Sequence, residues 1–143
     1  MSQLRRIQFP PMPKLRVILP AILLLCLVGC GSGRHLQMTA IQLGRSLNSD
    51  KTVSGITTVF SPDDSIFLSV LTGGAGSGTI GVKWTYGSRV IDEPKKQVTY
   101  NQASATDFRL QSAGGFPIGE YTAEVFLDGQ SIGRRTFHVE RPR

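Results

Sequence analysis

Past Arg34, apolar residues recur at every second position. No window of the usual 11 residues shows the three-and-four spacing of an amphipathic helix. That alternation confines the chain to strands with one buried and one wet face. Residues 36–41 are a short first candidate, and 53–60 (VSGITTVF) a second, closed by the turn composition Ser61, Pro62, Asp63, Asp64. Ile66, Leu68 and Val70 make one face of a third strand, and 73–78 (GGAGSG) is expected to be a flexible loop. Ile80, Val82, Trp84 and Tyr86 alternate with Gly81, Lys83 and Thr85; 89–91 extends that hairpin until Pro94, Lys95 and Lys96 interrupt it. Short strands are expected at 98–100 and 108–110, then a long one in which Tyr121, Ala123, Val125 and Leu127 share a face. Asp128 and Gly129 form a hairpin turn, since both tolerate positive φ, and 131–140 returns with Phe137 and Val139 inward. The expected fold is all-β: seven to nine short strands, hence a sandwich or a small barrel.

The first part of the chain is different. A basic, proline-interrupted stretch over 1–16 precedes an apolar run over 17–28 (VILPAILLLCLV). That run is too short for a membrane-spanning helix, which needs about 20 residues, and has the length of a signal-peptide core. It ends in Leu27, Val28, Gly29 and Cys30, followed by Gly31, Ser32 and Gly33. The pattern resembles the lipobox of bacterial lipoproteins. The resemblance implies a cleaved signal peptide over 1–29 with scission between Gly29 and Cys30, and a diacylglyceryl thioether on Cys30. It also implies a tether over 30–49 and a folded domain over 50–141. Two or three acyl chains hold a protein to a bilayer effectively permanently, at ~0.8 kcal/mol per buried methylene. The location implied is the bacterial cell envelope, and the outer membrane where the cell has two, since Gly31 rather than Asp follows the cysteine. Arg5 and Arg6 match a twin-arginine signal only weakly, and Met12 is an alternative start.

The leader also explains the charge. The chain carries 16 Lys and Arg against 10 Asp and Glu, net +6. Setting aside Arg5, Arg6, Lys14 and Arg16 leaves 12 against 10, a net of +2. The remaining basic residues are scattered, without the aromatic-lined stripe of a nucleic-acid groove, so no nucleic-acid partner is expected. Of two cysteines, Cys26 departs with the leader and Cys30 carries lipid, so no disulfide, thiol nucleophile or cysteine zinc site is expected in the domain.

Two landmarks separate sandwich from barrel. Trp84 lies 14 residues after Val70, on the next strand, and 119–123 (GEYTA) places Tyr121 at the start of a late strand. These features resemble immunoglobulin-like and fibronectin-III-like bacterial domains, over roughly 50–140. The resemblance implies that Trp84 fills the core and that the Tyr121 hydroxyl bonds back to backbone near 113–116. The antibody cysteine pair is missing. Such domains bind, space or scaffold, and the resemblance carries no site residues. Arg134 and Arg135 on the last strand, with Lys95 and Lys96, fit charges that guard a sheet edge.

Two letter-perfect motifs fail on context. Gly76, Gly78 and Gly81 satisfy G-x-G-x-x-G, but a strand follows where a dinucleotide site needs a helix. Gly129, Ser131 and Gly133 satisfy G-x-S-x-G, with His138 nearby, yet a nucleophile elbow must also pass into a helix. His35 and His138 stand at no spacing with carboxylates that suggests a metal, and the acid pairs Asp63, Asp64 and Asp92, Glu93 fit solvated turns ahead of the alternative, a calcium site. No enzyme activity and no cofactor are expected. Phe126 and Phe67 fall on the outward side of their strands and are the candidate partner contacts. The function expected is a non-catalytic envelope lipoprotein whose sandwich binds a protein or glycan. The alternative is a structural accessory subunit of a larger envelope or secretion complex.

Overall fold

In a computed structural model of the chain, the residues described are Pro11 and 35–143. The expected signal peptide, the Gly29–Cys30 scission site and the lipidated Cys30 lie outside them. All the strands fall in one compact unit, Ser32–Arg143.

Among the described residues, ten strands form two sheets. β1 (Gln37–Leu47), β2 (Val53–Ile56), β4 (Ile66–Gly73) and β8 (Ser104–Leu110) make a four-stranded sheet in the order β2-β1-β4-β8. The second sheet runs β3-β10-β9-β5-β6, from β3 (Val59–Phe60), β10 (Gln130–Val139), β9 (Gly119–Leu127), β5 (Gly76–Tyr86) and β6 (Arg89–Asp92). β7 (Lys95–Tyr100) pairs with the first half of β5 and β6 with its end, so the two line one edge of β5 opposite β9, broken at Pro94 as expected. Pairing is antiparallel except where β3 lies parallel to the end of β10.

The inward positions are those of the alternation. Ile66, Leu68, Val70, Ile80, Val82, Trp84, Tyr121, Ala123, Val125, Phe137 and Val139 are all essentially sealed from water. Aromatic rings cluster on the inner face of the second sheet: Phe137 meets Phe60 and Trp84 edge-on at 5.5 and 6.0 Å and stacks on Tyr121 at 5.3 Å. The Tyr121 hydroxyl donates to the Pro117 carbonyl at 2.7 Å, one residue beyond the stretch expected. Tyr86 repeats the device, its ring 4.7 Å from Tyr121 and its hydroxyl 2.9 Å from the Ile118 carbonyl.

Three expectations are corrected. Within the described residues the tether expected over 30–49 and a domain beginning at 50 do not hold: β1 occupies Gln37–Leu47 and pairs along most of β4. Its outward positions are small or polar, which made the strand look like linker, while Ile41 and Leu43 are buried. Residues 53–60 are not one strand. Gly55, at φ +65°, and the Thr57 hydroxyl, bonded to both backbone groups of Val59, turn the chain so that β2 and β3 join opposite sheets. The glycine loop over 73–78 shrinks to residues 74 and 75, because 76–81 pairs residue by residue with β7. Gly74 makes that tight connection at φ +75°.

One arrangement had no counterpart in the sequence. The β1–β2 hairpin folds back over the outer face of its own sheet. A Cβ on Gly44 would lie 2.3 Å from Val53 Cγ1 and 2.6 Å from the Gly55 carbonyl oxygen, so only glycine fits beneath the crossing. The Val53 amide donates to Gln42 Oε1 at 3.3 Å, and Lys51 in the turn reaches Asp107 on β8 at 3.8 Å. Val53 and Ser69 are buried under this roof although they belong to the outward side.

The edge charges stand where expected. β10 meets β3 only through His138 and Val139, leaving Arg134 and Arg135 on the open part of that edge. Arg134 pairs with Glu124 at 3.3 Å, and Arg135 Nε donates to the Ile41 carbonyl across the sandwich. Lys96 ties the sheets on the other side, donating to the Asp107 carbonyl and facing its carboxylate at 3.4 Å.

Candidate functional site

The outer faces of the two sheets were expected to carry Phe67 and Phe126. The structure places both on outward positions, half-buried, but on opposite sheets, so they do not form one patch. Phe67 on β4 sits beside Arg109 on β8, whose guanidinium lies 5.3 Å from the ring centroid and is anchored to Ser65 Oγ at 2.9 Å. The ring is capped within the fold.

Phe126 has different surroundings. On β9 it lies opposite Gly81 of β5, and Gly81 in turn lies opposite Lys95 of β7. Three adjacent strands therefore present an aromatic ring, a bare backbone and a lysine stem. The result is an open cleft of ≈ 580 Å³, bordered further by Thr79, Lys83, Glu93, Pro94 and Asp128. That volume falls within the ordinary range for small-molecule sites, about 300–1,000 Å³. Its two ends are built rigidly. The Pro94 carbonyl accepts from Val82 N at 3.0 Å, holding the β6–β7 break against β5. At the other end Asp128 and Gly129 turn at φ +50° and +83°, as the sequence suggested, and Thr79 N donates to Asp128 Oδ1 at 2.8 Å.

Lys83 Nζ lies 5.9 Å from the Phe126 centroid, at the outer limit of a cation–π contact. Next to it, the Ser131 hydroxyl donates to Glu124 Oε1 at 2.7 Å. That hydrogen bond holds the Glu124 carboxyl below its ordinary range, with the hydrogen bond and charge of Arg134 and the charge of Lys83 assisting. Ser131 of the G-x-S-x-G match is thus bonded to a carboxylate, while His138 lies on the same strand at the far end of the hairpin, in register with Glu120. No helix follows. The glycines of the G-x-G-x-x-G match lie within β5, three positions of one extended strand. Among the described residues no group of three or more His, Cys, Asp or Glu is placed to hold a metal ion.

A second open cleft, ≈ 570 Å³, lies between the tip of the β1–β2 hairpin and the ends of β7 and β8. Six of its eleven lining residues carry hydroxyls, and Tyr100 among them turns inward to Thr106 Oγ1 at 2.8 Å. Spacing does not reveal the neighbours of Phe126: in the sequence Lys95 reads as edge protection, and Glu93 and Asp128 as turn residues. Only the register of β5 against both β7 and β9 brings them together, and alternation does not supply register.

No protein-family model matches the sequence, and a search of curated proteins returns no relative. Solved structures do share the fold. An immunoglobulin-like protein from Pseudomonas aeruginosa superposes with a TM-score of 0.55 at 14% identity, covering 77% of this chain and 100% of its own. A cycloisomaltooligosaccharide glucanotransferase from Paenibacillus sp. gives 0.55 at 14% identity, and a β-glucosidase from Erythrobacter marinus 0.51 at 15%. Each covers 75% of this chain, which spans only 14% and 16% of the enzymes' lengths. At such identities the likeness is one of architecture alone. The domain is an immunoglobulin-like antiparallel β-sandwich.

Proposed function

We propose that the protein is a lipid-anchored, non-catalytic binding domain of the bacterial envelope, held through Cys30 and meeting its partner on the outer face of the second sheet around Phe126. The observation that carries the binding half is the contrast between the two outward aromatics. Arg109 caps Phe67, whereas Phe126 borders an open cleft over Gly81. Half-buried aromatics at the edge of such a cleft are the usual anchors of recognition surfaces. The anchoring half rests on the residues Leu27, Val28, Gly29 and Cys30 and the apolar run before them. The glucanotransferase structure is described as complexed with cycloisomaltoheptaose, and its matching part is a small fraction of that enzyme. This supports a glycan as readily as a protein among the partners.

The test is photo-crosslinking in the producing cell, with a benzophenone side chain at position 126 and, separately, at position 67. Adduct formation at 126 and little at 67 is the expected result. Equal yields at both positions, or none at 126, would remove Phe126 from the contact surface.

A further inference from the structure

We infer that the cleft beside Phe126 seats one pyranose ring of a neutral glycan. The inference rests on the Phe126 face being the contact surface and names what that face takes.

The first ground is shape. Phe126 and Lys95 both lie opposite Gly81, on strands to either side of it. Their backbones are therefore two strand spacings apart, about 10 Å. With no side chain on Gly81, the Lys95 stem leans over it, its Cγ 3.2 Å from where a Cβ would stand, and this flexible stem is the movable wall of the cleft. When it swings aside, a six-membered sugar ring enters edge-down over the Gly81 backbone with one face against Phe126. The axial C–H bonds of a pyranose carry slight positive charge and meet the negative face of the aromatic ring.

The second ground is the balance of polar groups. Lys83 and Lys95 only donate hydrogen bonds, and Glu93 and Asp128, as carboxylates, only accept them. Lys83, Lys95 and Glu93 join no salt bridge among the described residues. A ligand that satisfies both kinds of group must offer donors and acceptors together, without adding charge. Each sugar hydroxyl is both. An anionic polymer would meet two carboxylates as well as two ammonium groups, and an apolar peptide would strip water from four charges without replacing it. Two positive and two negative groups around one ring slot therefore favour a neutral polyhydroxyl ligand.

The experiment uses the full chain in detergent micelles, with saturation-transfer NMR on isomaltoheptaose, cellohexaose and chitohexaose, and polygalacturonate as the charged comparison. Transfer to at least one neutral sugar is expected, in the weak range of a single-ring site. Phe126→Ala should lower its affinity about tenfold or more, equivalent to about 1.4 kcal/mol, and Phe126→Tyr should keep it. Gly81→Val, which fills the slot, should abolish it. Its Cβ would stand 3.2 Å from the flexible Lys95 stem, so the fold has room to adjust. Phe67→Ala should change nothing. Absence of transfer to all three sugars, or stronger binding of polygalacturonate, would overturn the neutral-glycan assignment. So would transfer that survives both Phe126→Ala and Gly81→Val. If the sugars fail while crosslinks at 126 persist in cells, the contact surface stands and only the ligand class falls.

Discussion

Replacing Gly44 by alanine asks whether the β1–β2 hairpin is seated on its own sheet. A Cβ there would lie 2.3 Å from Val53 Cγ1, 2.6 Å from the Gly55 oxygen and 3.0 Å from the Ser54 oxygen. The valine methyl can rotate away; the two backbone oxygens move only if the hairpin lifts. Lifting exposes Val53, worth about 1.5–3 kcal/mol when fully buried, and breaks its amide bond to Gln42, about 1 kcal/mol. The Lys51–Asp107 pair is exposed and adds little. A loss of about 2–4 kcal/mol follows, and it cannot exceed what docking of the hairpin contributes. For a domain of this size it lowers Tm by roughly 10–20 °C, at about 5 °C per kcal/mol. Calorimetry reads the melt, and hydrogen exchange reads the Val53 amide, which should lose protection well before the core strands. Combining Gly44→Ala with Val53→Ala should recover little, because the carbonyl clashes remain. A melt within about 2 °C of the parent, with Val53 still protected, would refute the roofed arrangement.

Tyr121→Phe removes one hydrogen bond to an exposed proline carbonyl and leaves the stacked rings in place. It should cost about 1 kcal/mol in denaturant titration. Burial, with the nearby Tyr86, raises the Tyr121 phenol above its ordinary value of 10.0. The stability it contributes is therefore complete below pH 10 and falls as pH rises through the folded-state value, since the unfolded chain ionises first. In Tyr121→Phe that alkaline loss should be smaller, and an unchanged profile would count against the buried corner. Ser131→Ala should move the Glu124 carboxyl upward toward 4.5 in an NMR titration, since the Ser131 hydroxyl is the largest cause of its lowering. Because a lowered carboxyl stabilises above its unfolded value and is lost as pH falls through the folded one, the same variant should be less sensitive to acid.

The core was legible because alternation reports burial directly. Tyr121 and Phe137 fall inward by spacing, Trp84 by spacing together with the immunoglobulin-like resemblance, and all three are sealed. Where the sequence misled, a backbone event intervened that spacing does not encode. β1 looked like tether because Thr39, Ala40, Gln42 and Gly44 face outward and are small or polar, and Gly44 is glycine only because a hairpin crosses it. Residues 53–60 read as one strand until Gly55 and Thr57 send the halves to different sheets. The candidate site was half visible. Phe126 was marked by parity, but the meaning of its position depends on Gly81 and Lys95, 45 and 31 residues away in sequence. Their meeting is a matter of register, set by strands on both sides of β5.

Anchoring through Cys30 is the claim on which the proposed role most depends, and intact mass with membrane fractionation tests it most directly. The protein from its producing cell should be membrane-bound, begin at Cys30 and carry the added mass of a diacylglyceryl group and its N-terminal modification. A Cys30→Ser variant should be neither processed there nor acylated. A parent protein that keeps residues 1–29, or that carries an unmodified Cys30, would contradict the lipoprotein account and leave the sandwich to be placed by another route.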